Sequence, residues 1–426
     1  MRQSGNLAPS LPWDVVSLIL KQCDPKTLKA ITLTSKAMRF EADRCLFQMV
    51  QYWYHESAGQ LPPFLPSERA MHVKEILVAF LDNPSESGLV MASEFRQIME
   101  RVVNASTSLR SLTIFLEINQ ANPCPPTILD FKCGVLNDLI NHPCPQLVSL
   151  HLEISGTHEM LLHPQDLEIL CINHPLLERL TIEAPLSWDT MDLDKTTPGF
   201  PKLQELEVSD IAHFHLARGC CLRHIRLKLG PLMTGIELMF AEVEAFSQTL
   251  TELSLDWQGE SSSNVQQGFN ELIRGAFFTN LPMLEVLSFH LPVIDGVTYF
   301  DLDMEAEGTL SATLLHIRRL GLNLQLRSLS FAHVSTKSIE RFTQAVFRNA
   351  PSSLEHLEVL FPPGWDYSTN EVKVGERHMI DRLITGDGYM TLLHTLIPSG
   401  NGQDFVQRPK IYLATRQTLI RKGQNI

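Results

Sequence analysis

His213 and His215 stand two residues apart, with Cys220 and Cys221 close behind. Imidazole and thiolate at short spacing are the donors that zinc takes. These four fall between two strand-like segments, 203–208 and 222–227, and match no recurring ligand spacing, so no metal is expected from them. Asp301, Asp303, Glu305 and Glu307 place a carboxylate at every second residue, as a calcium loop does. Gly308 comes two places late, however, and position twelve is Ala312 instead of Glu. The run therefore reads as a solvated acidic loop. Gly386-Asp387-Gly388 reads as a turn. A phosphate-cradling lysine loop, a G-x-S-x-G elbow, an H-E-x-x-H helix and a dinucleotide fingerprint are all missing. The sequence points to no catalytic residue and no cofactor. The chemistry it offers is binding.

The charges suited to binding alternate with apolar residues. Successive side chains of a strand point to opposite faces, so alternation places one set in a core and the other on a surface. The outward set comprises Ser149, His151 and Glu153, then Arg179, Thr181 and Glu183, then Glu205, Glu207 and Ser209. It continues with His224, Arg226 and Lys228, then Glu252, Ser254 and Asp256. Strands side by side lie about 4.8 Å apart, so these residues form lateral rows. Glu207 should adjoin Arg226, and Lys228 should adjoin Asp256. One reading is charge neutralised within the sheet. The other is a charged, mostly acidic face that docks a basic segment of a protein target.

Those rows need a repeated scaffold. An apolar residue, two others, apolar, one other, apolar recurs at Leu109/Leu112/Ile114, Leu147/Leu150/Leu152, Leu177/Leu180/Ile182 and Leu203/Leu206/Val208. It continues at Leu222/Ile225/Leu227, Leu250/Leu253/Leu255, Leu284/Leu287/Phe289, Leu326/Leu329/Phe331 and Leu354/Leu357/Val359. The spacing runs from roughly 19 to 42 residues, around the length of a leucine-rich repeat. Short amphipathic segments at 135–141, 166–173, 269–278 and 339–348 stop near a proline before the next copy. The fold predicted is α/β: a leucine-rich-repeat solenoid over 106–365, with parallel strands concave and helices convex. The segment 51–105 reads as a helical connector, with one helix from Ser67 through Leu81 and another over 89–103. Residues 366–426 read as a C-terminal cap and tail, with a basic stretch at 408–422.

At the N-terminus, 11–20 reads as a short helix with Pro12 in its first turn and Val15, Val16, Ile19 and Leu20 on one face. Asp24-Pro25 starts a second helix carrying Leu28, Ile31, Ser35 and Met38, with Lys36 and Arg39 beside them. So few residues rarely stabilise themselves through their own core, so the unit should pack on a partner or on the rest of the chain. From Leu11 to Phe47 these residues resemble the F-box, within a segment at 8–50. The Cys/His-Pro-x-Leu phrasing of 144–147 and 174–177 resembles F-box leucine-rich-repeat proteins, fungal ones in particular. The F-box pattern usually has a large aromatic at the position of Met38 and often a Trp near Phe47.

The resemblance implies a substrate-recognition adaptor of an SCF-type cullin–RING ubiquitin ligase. It implies that Leu11, Pro12, Val15, Val16, Ile19, Leu20, Leu28, Ile31, Ser35, Lys36 and Met38 bind a Skp-type adaptor. A protein substrate would meet His151, Glu153, Arg179, Glu183, Glu205, Glu207, His224, Arg226, Lys228, Glu252 and Asp256. The alternative is a non-catalytic scaffold that uses the F-box outside a ligase.

Composition agrees with a globular protein: 44% of the 426 residues are hydrophobic and 19% charged. A net charge of −13 repels a phosphate backbone, so nucleic acid is not an expected partner. The first nine residues have no apolar core of a secretory signal, and the longest compact apolar stretch, 76–81, is too short for a membrane span. A cytoplasmic or nuclear protein is expected, with its eight cysteines as free thiols.

Overall fold

The computed structural model describes residues 12–54, 65–80, 89–117, 142–155, 164–183, 199–209, 211–229, 236–257, 262–275, 277–293, 303–326, 341–343, 345–346, 349, 353–361, 373–374, 377–386 and 389–398. The chain divides into two compact units, Met1–Leu203 and Gln204–Ile426. The fold is α/β, a leucine-rich-repeat architecture of parallel strands alternating with helices, preceded by three short helices.

The three helices are α1 (Trp13–Lys21), α2 (Pro25–Ile31) and α3 (Lys36–Leu46). Pro12 stands one place earlier than expected, just before the first helical turn, where its carbonyl accepts from the N–H groups of Val15 and Val16. Asp24 caps α2: its Oδ1 accepts from the N–H groups of Lys26 at 2.8 Å and Thr27 at 3.1 Å. The Thr27 hydroxyl donates to Oδ2 at 2.7 Å and holds this carboxyl below the usual range. Ser35 caps α3 by accepting from the N–H of Met38. Leu20, Leu28 and Ala42 form the core of the module, with Val16, Cys23, Ile31, Cys45 and Leu46 against it.

The first unit then builds five parallel strands in chain order: β1 (Met49–Tyr54), β2 (Glu75–Phe80), β3 (Ser111–Glu117), β4 (Ser149–Ser155) and β5 (Arg179–Glu183). The second builds six: β6 (Glu205–Val208), β7 (His224–Leu229), β8 (Glu252–Trp257), β9 (Val286–Val293), β10 (Arg319–Leu326) and β11 (His356–Phe361). Antiparallel pairing follows, β11 with β14 (Tyr389–Pro398), β14 with β13 (Arg377–Gly386), and β13 with β12 (Lys373–Val374). Gly386 pairs with Tyr389 in the antiparallel C-terminal segment, and Asp387 and Gly388, from the turn expected at 386–388, lie outside the described residues.

Leucine and β-branched residues set the strands. In β7 the order His-Ile-Arg-Leu-Lys-Leu buries Ile225, Leu227 and Leu229 and leaves His224, Arg226 and Lys228 half-buried on the other face. Helices cover the buried face. From the helix Ser262–Arg274, Phe269 packs its ring on Phe289 of β9, with centroids 5.1 Å apart, and on Trp257 of β8 at 6.1 Å. One backbone motif recurs before the strands. The carbonyl of Gln48 accepts from both Lys74 and Glu75, that of Lys74 from both Arg110 and Ser111, and that of Arg110 from both Val148 and Ser149. In the second unit the carbonyls of Gln204, Arg223, Thr251, Glu285 and Arg318 do the same for the following repeat.

Several expectations need correcting. The second helix, expected to carry Leu28, Ile31, Ser35 and Met38 together, ends at Ile31, and Ser35 caps a third. The segment 51–105 is not a helical connector throughout. β1 ends within it and β2 lies inside it, and the helix begun at Ser67 stops at Ala70. Val73, Ile76 and Val78 carry the repeat pattern without a leucine and are buried. The copy expected at Leu326/Leu329/Phe331 begins earlier, at Ile317/Leu320/Leu322, all buried, with Leu326 ending β10. Leu329 and Phe331 lie outside the described residues. Finally, from Asp303 on the acidic run opens a helix (Met304–Thr313): Asp303 is its cap, accepting from the N–H of Ala306 at 2.9 Å, and Asp301 lies outside the described residues. Arg274 pairs with Asp303 and holds its carboxyl below the usual range. The basic stretch at 408–422 lies outside the described residues.

Candidate functional site

Two surfaces carry the candidate residues. The first is the outer side of the three-helix module. Val16, Leu20 and Cys23 face inward, as positions four and three apart on one helix face do. Val15, Leu18 and Ile19 form the opposite face and are 38%, 61% and 50% exposed. The stripe expected over Val15, Val16, Ile19 and Leu20 thus divides between the two faces. Of the residues expected to bind an adaptor, Pro12, Val15, Ile19, Ser35 and Lys36 are exposed, and Val16, Ile31 and Met38 are half-buried. Leu20 and Leu28 are buried in the module's own core. Leu11 lies outside the described residues. Sequence reasoning passed over Trp13, Leu18, Leu33 and Phe40, which are all more than half exposed. Their signal was available: Leu18 follows Val15 by three, on the side of the helix away from Leu20.

Within the first unit, α3 is tied to the segment that leads into β2, from the short helix Ser67–Ala70 to His72. Arg69 reaches the buried Asp43 at 3.4 Å and lies over the Phe47 ring, 4.9 Å from its centroid. Phe40 meets the edge of His72 with centroids 4.8 Å apart, and burial pushes the His72 imidazole pKa down. Arg44 donates to Ser17 of α1 at 2.8 Å. The Arg44 bond ties α3 to α1 within the module, and the Arg69 and Phe40 contacts hold the module against the start of the repeats.

The second surface is the open face of the strands. In the second unit the expected rows are present: Glu207 stands in register with Arg226, and Lys228 with Asp256. The ion pairs run diagonally as well. Arg226 reaches Glu207 at 3.5 Å and Asp256 at 2.9 Å, and Lys228 reaches Glu207 at 3.7 Å. His224 lies between two carboxylates, with Nδ1 3.8 Å from Glu205 and Nε2 3.7 Å from Glu252. Asp256 is buried although it belongs to the open face. Beside it in register is His290, whose imidazole is pushed down to about 4 by burial, with the nearby Arg226 charge adding to the effect. Asn323 of β10 meets His290 Nε2 at 3.1 Å. Floor residues Ser254, Ser288 and Gly321 share one row, and a Cβ on Gly321 would approach the Ser288 hydroxyl to 2.8 Å.

In the first unit the open face carries Arg179, His151, Glu153 and Glu183. Glu153 and Glu183 are in register on β4 and β5, and His151 Nε2 is 3.6 Å from Glu153. The His151 ring packs on Phe115 of β3, with centroids 5.3 Å apart. Of the earlier donor set, His213 is buried and Cys221 exposed. Burial pushes the Cys220 thiol up to about 11, away from the thiolate that a metal needs. No helix among the described residues is long and apolar enough to cross a membrane. No protein-family model matches the chain, and no curated protein matches it.

Proposed function

We propose that the chain is the substrate-recognition adaptor of an SCF-type cullin–RING ubiquitin ligase. Its N-terminal helices would bind a Skp-type adaptor and the open face of its repeats a protein target. One observation carries the reading. A module whose apolar core, among the described residues, is Leu20, Leu28 and Ala42 leaves Trp13, Leu18 and Ile19 half or more exposed on α1. Fully burying one such side chain yields about 1.5–3 kcal/mol, so three together supply a specific docking energy. The F-box resemblance from Leu11 to Phe47 names the kind of partner that would bury them.

The chain's own part is positional. Transfer chemistry belongs to partner subunits, and the receptor contributes by holding a target lysine near an activated ubiquitin carrier. The Asp43–Arg69 pair and the Phe40–His72 contact support this role, because a hook that swivelled freely on the repeats would give that proximity away. Co-purification of the full chain with a recombinant Skp-type adaptor and a cullin tests the proposal. Both should be retained by the unaltered chain and lost with Leu18→Asp and Ile19→Asp together. Capture of the adaptor without cullin would favour a scaffold outside a ligase, and capture of neither would end the reading.

A further inference from the structure

We propose that His151, Glu153 and Glu183 form a site for one divalent transition-metal ion, with zinc the best match. The donors are an imidazole nitrogen and two carboxylate oxygens, all within 4.8 Å of one another. Zinc holds nitrogen and oxygen at about 2.0–2.2 Å, which at a tetrahedral angle sets two ligands about 3.3–3.6 Å apart. His151 Nε2 and Glu153 Oε2 are 3.6 Å apart already. The parallel register brings the third donor in: Glu183 is the direct lateral partner of Glu153, about 4.8 Å away along the sheet. A small side-chain adjustment closes the set around one ion.

The imidazole is the second observation, separate from the two carboxylates. His151 Nε2 is out of contact with water and makes no hydrogen bond among the described residues, although the side chain is 33% exposed and Glu153 Oε2 stands 3.6 Å away. A ring nitrogen so placed is open to a metal bond. Phe115, packed on the same ring, limits its rotation and keeps Nε2 turned toward the carboxylates. Three protein ligands leave a fourth position for water or for a donor from another molecule.

A second histidine provides the contrast. His224 also lies near two glutamates, but Glu205 is reached through Nδ1 and Glu252 through Nε2. Those nitrogens point away from each other, so the two carboxylates cannot converge on one ion. Both histidines stand on the open sheet face beside acidic residues, and only His151 has the geometry of a ligand set.

Calorimetric titration of the chelator-treated full chain with Zn²⁺ tests the site, with Co²⁺ as a spectroscopic probe. One Zn²⁺ per chain should bind at this trio, and Co²⁺ there should give the intense visible absorption of four-coordination. His151→Ala, Glu153→Gln and Glu183→Gln should each weaken that binding at least about tenfold, and His224→Ala should leave it unchanged. Affinity should also fall as pH drops, since every ligand must give up its proton. The two Gln variants keep the side-chain shape, so they decide the matter even if His151→Ala fails to fold. Absence of Zn²⁺ uptake, uptake that survives Glu183→Gln, or equal loss in His224→Ala would each overturn the site and leave a plain His–Glu ion pair.

Discussion

The N-terminal module and the repeats handle their side chains in opposite ways. The module buries few residues fully and exposes Trp13, Leu18, Ile19 and Phe40. The repeats bury the inward apolar residues of their strands almost completely, Leu253, Leu255, Leu287 and Phe289 among them, and present charge on the open face. That outside charge is answered locally, Arg226 by Glu207 and Asp256, and Lys228 by Glu207. An exposed apolar side chain gains roughly 1.5–3 kcal/mol when a partner covers it, whereas an exposed ion pair is worth about 0–1 kcal/mol. The difference teaches a division of labour. The module can supply affinity, and the open face can supply register and encounter rate.

The comparison can be broken most sharply at the buried leucines. Leu255→Ala or Leu287→Ala should cost about 2–5 kcal/mol, because each leaves a cavity in a packed interior. Chemical denaturation measures this, and a near-normal midpoint for both would mean that the sheet does not carry its core there. Next comes the module's outer face. Leu18→Ala with Ile19→Ala should leave stability within about 0.5 kcal/mol, since both are half or more exposed, yet weaken Skp-type adaptor binding roughly a hundredfold. A large drop in melting temperature would place these residues in a core instead.

A smaller effect should come from His290. Its imidazole titrates near 6.5 when unfolded and is pushed down to about 4 in the fold. Between those values the unfolded chain binds a proton that the native chain refuses. The contribution to stability is therefore full above pH 6.5 and is lost as pH falls toward 4. Denaturation midpoints across that window should decline less steeply in His290→Gln, and an unchanged slope would rule the residue out as the cause. The smallest effect is expected at the charges: Glu205→Gln with Glu207→Gln should move stability by no more than about 1 kcal/mol. If the face docks a basic target segment, the same pair should slow target association at low salt. Equal rates would mean that the charges serve only each other.

Much of the scaffold was legible because leucine repeats at a fixed offset. Copies from Leu109 to Leu284 mark the strands β3 to β9. The first strands escaped because Val50, Tyr52, Ile76 and Val78 bring the same spacing without leucine, beneath prolines that suggested breaks. At β10 two overlapping patterns competed, and Ile317 preceded the more obvious Leu326. The rows of charge followed from alternation alone. The convergence of His151, Glu153 and Glu183 did not, because Glu183 is 30 residues beyond Glu153 and only the register of β4 on β5 makes them neighbours. The outer face of α1 was blurred by adjacent apolar residues, Val15 with Val16 and Ile19 with Leu20. Each such pair spans two sides of a helix, and which side finds a core is decided by α2 and α3.

The paired backbone bonds that precede the strands have a mechanical consequence. Each carbonyl from Gln204 to Arg318 grips two N–H groups of the following repeat, and these grips lie one after another along the stack. Pulled from its end along that stack, the second unit would meet resistance at one grip at a time instead of at many in parallel. Such a geometry peels. Each release frees the chain between successive grips, from 19 residues (Gln204 to Arg223) to 34 (Thr251 to Glu285). At about 3.3–3.6 Å per extended residue, the steps seen by a force probe should range from roughly 60 Å to roughly 120 Å before correction for folded width. The unequal loops would thus be readable as unequal steps, a ruler made from the chain's own irregularity.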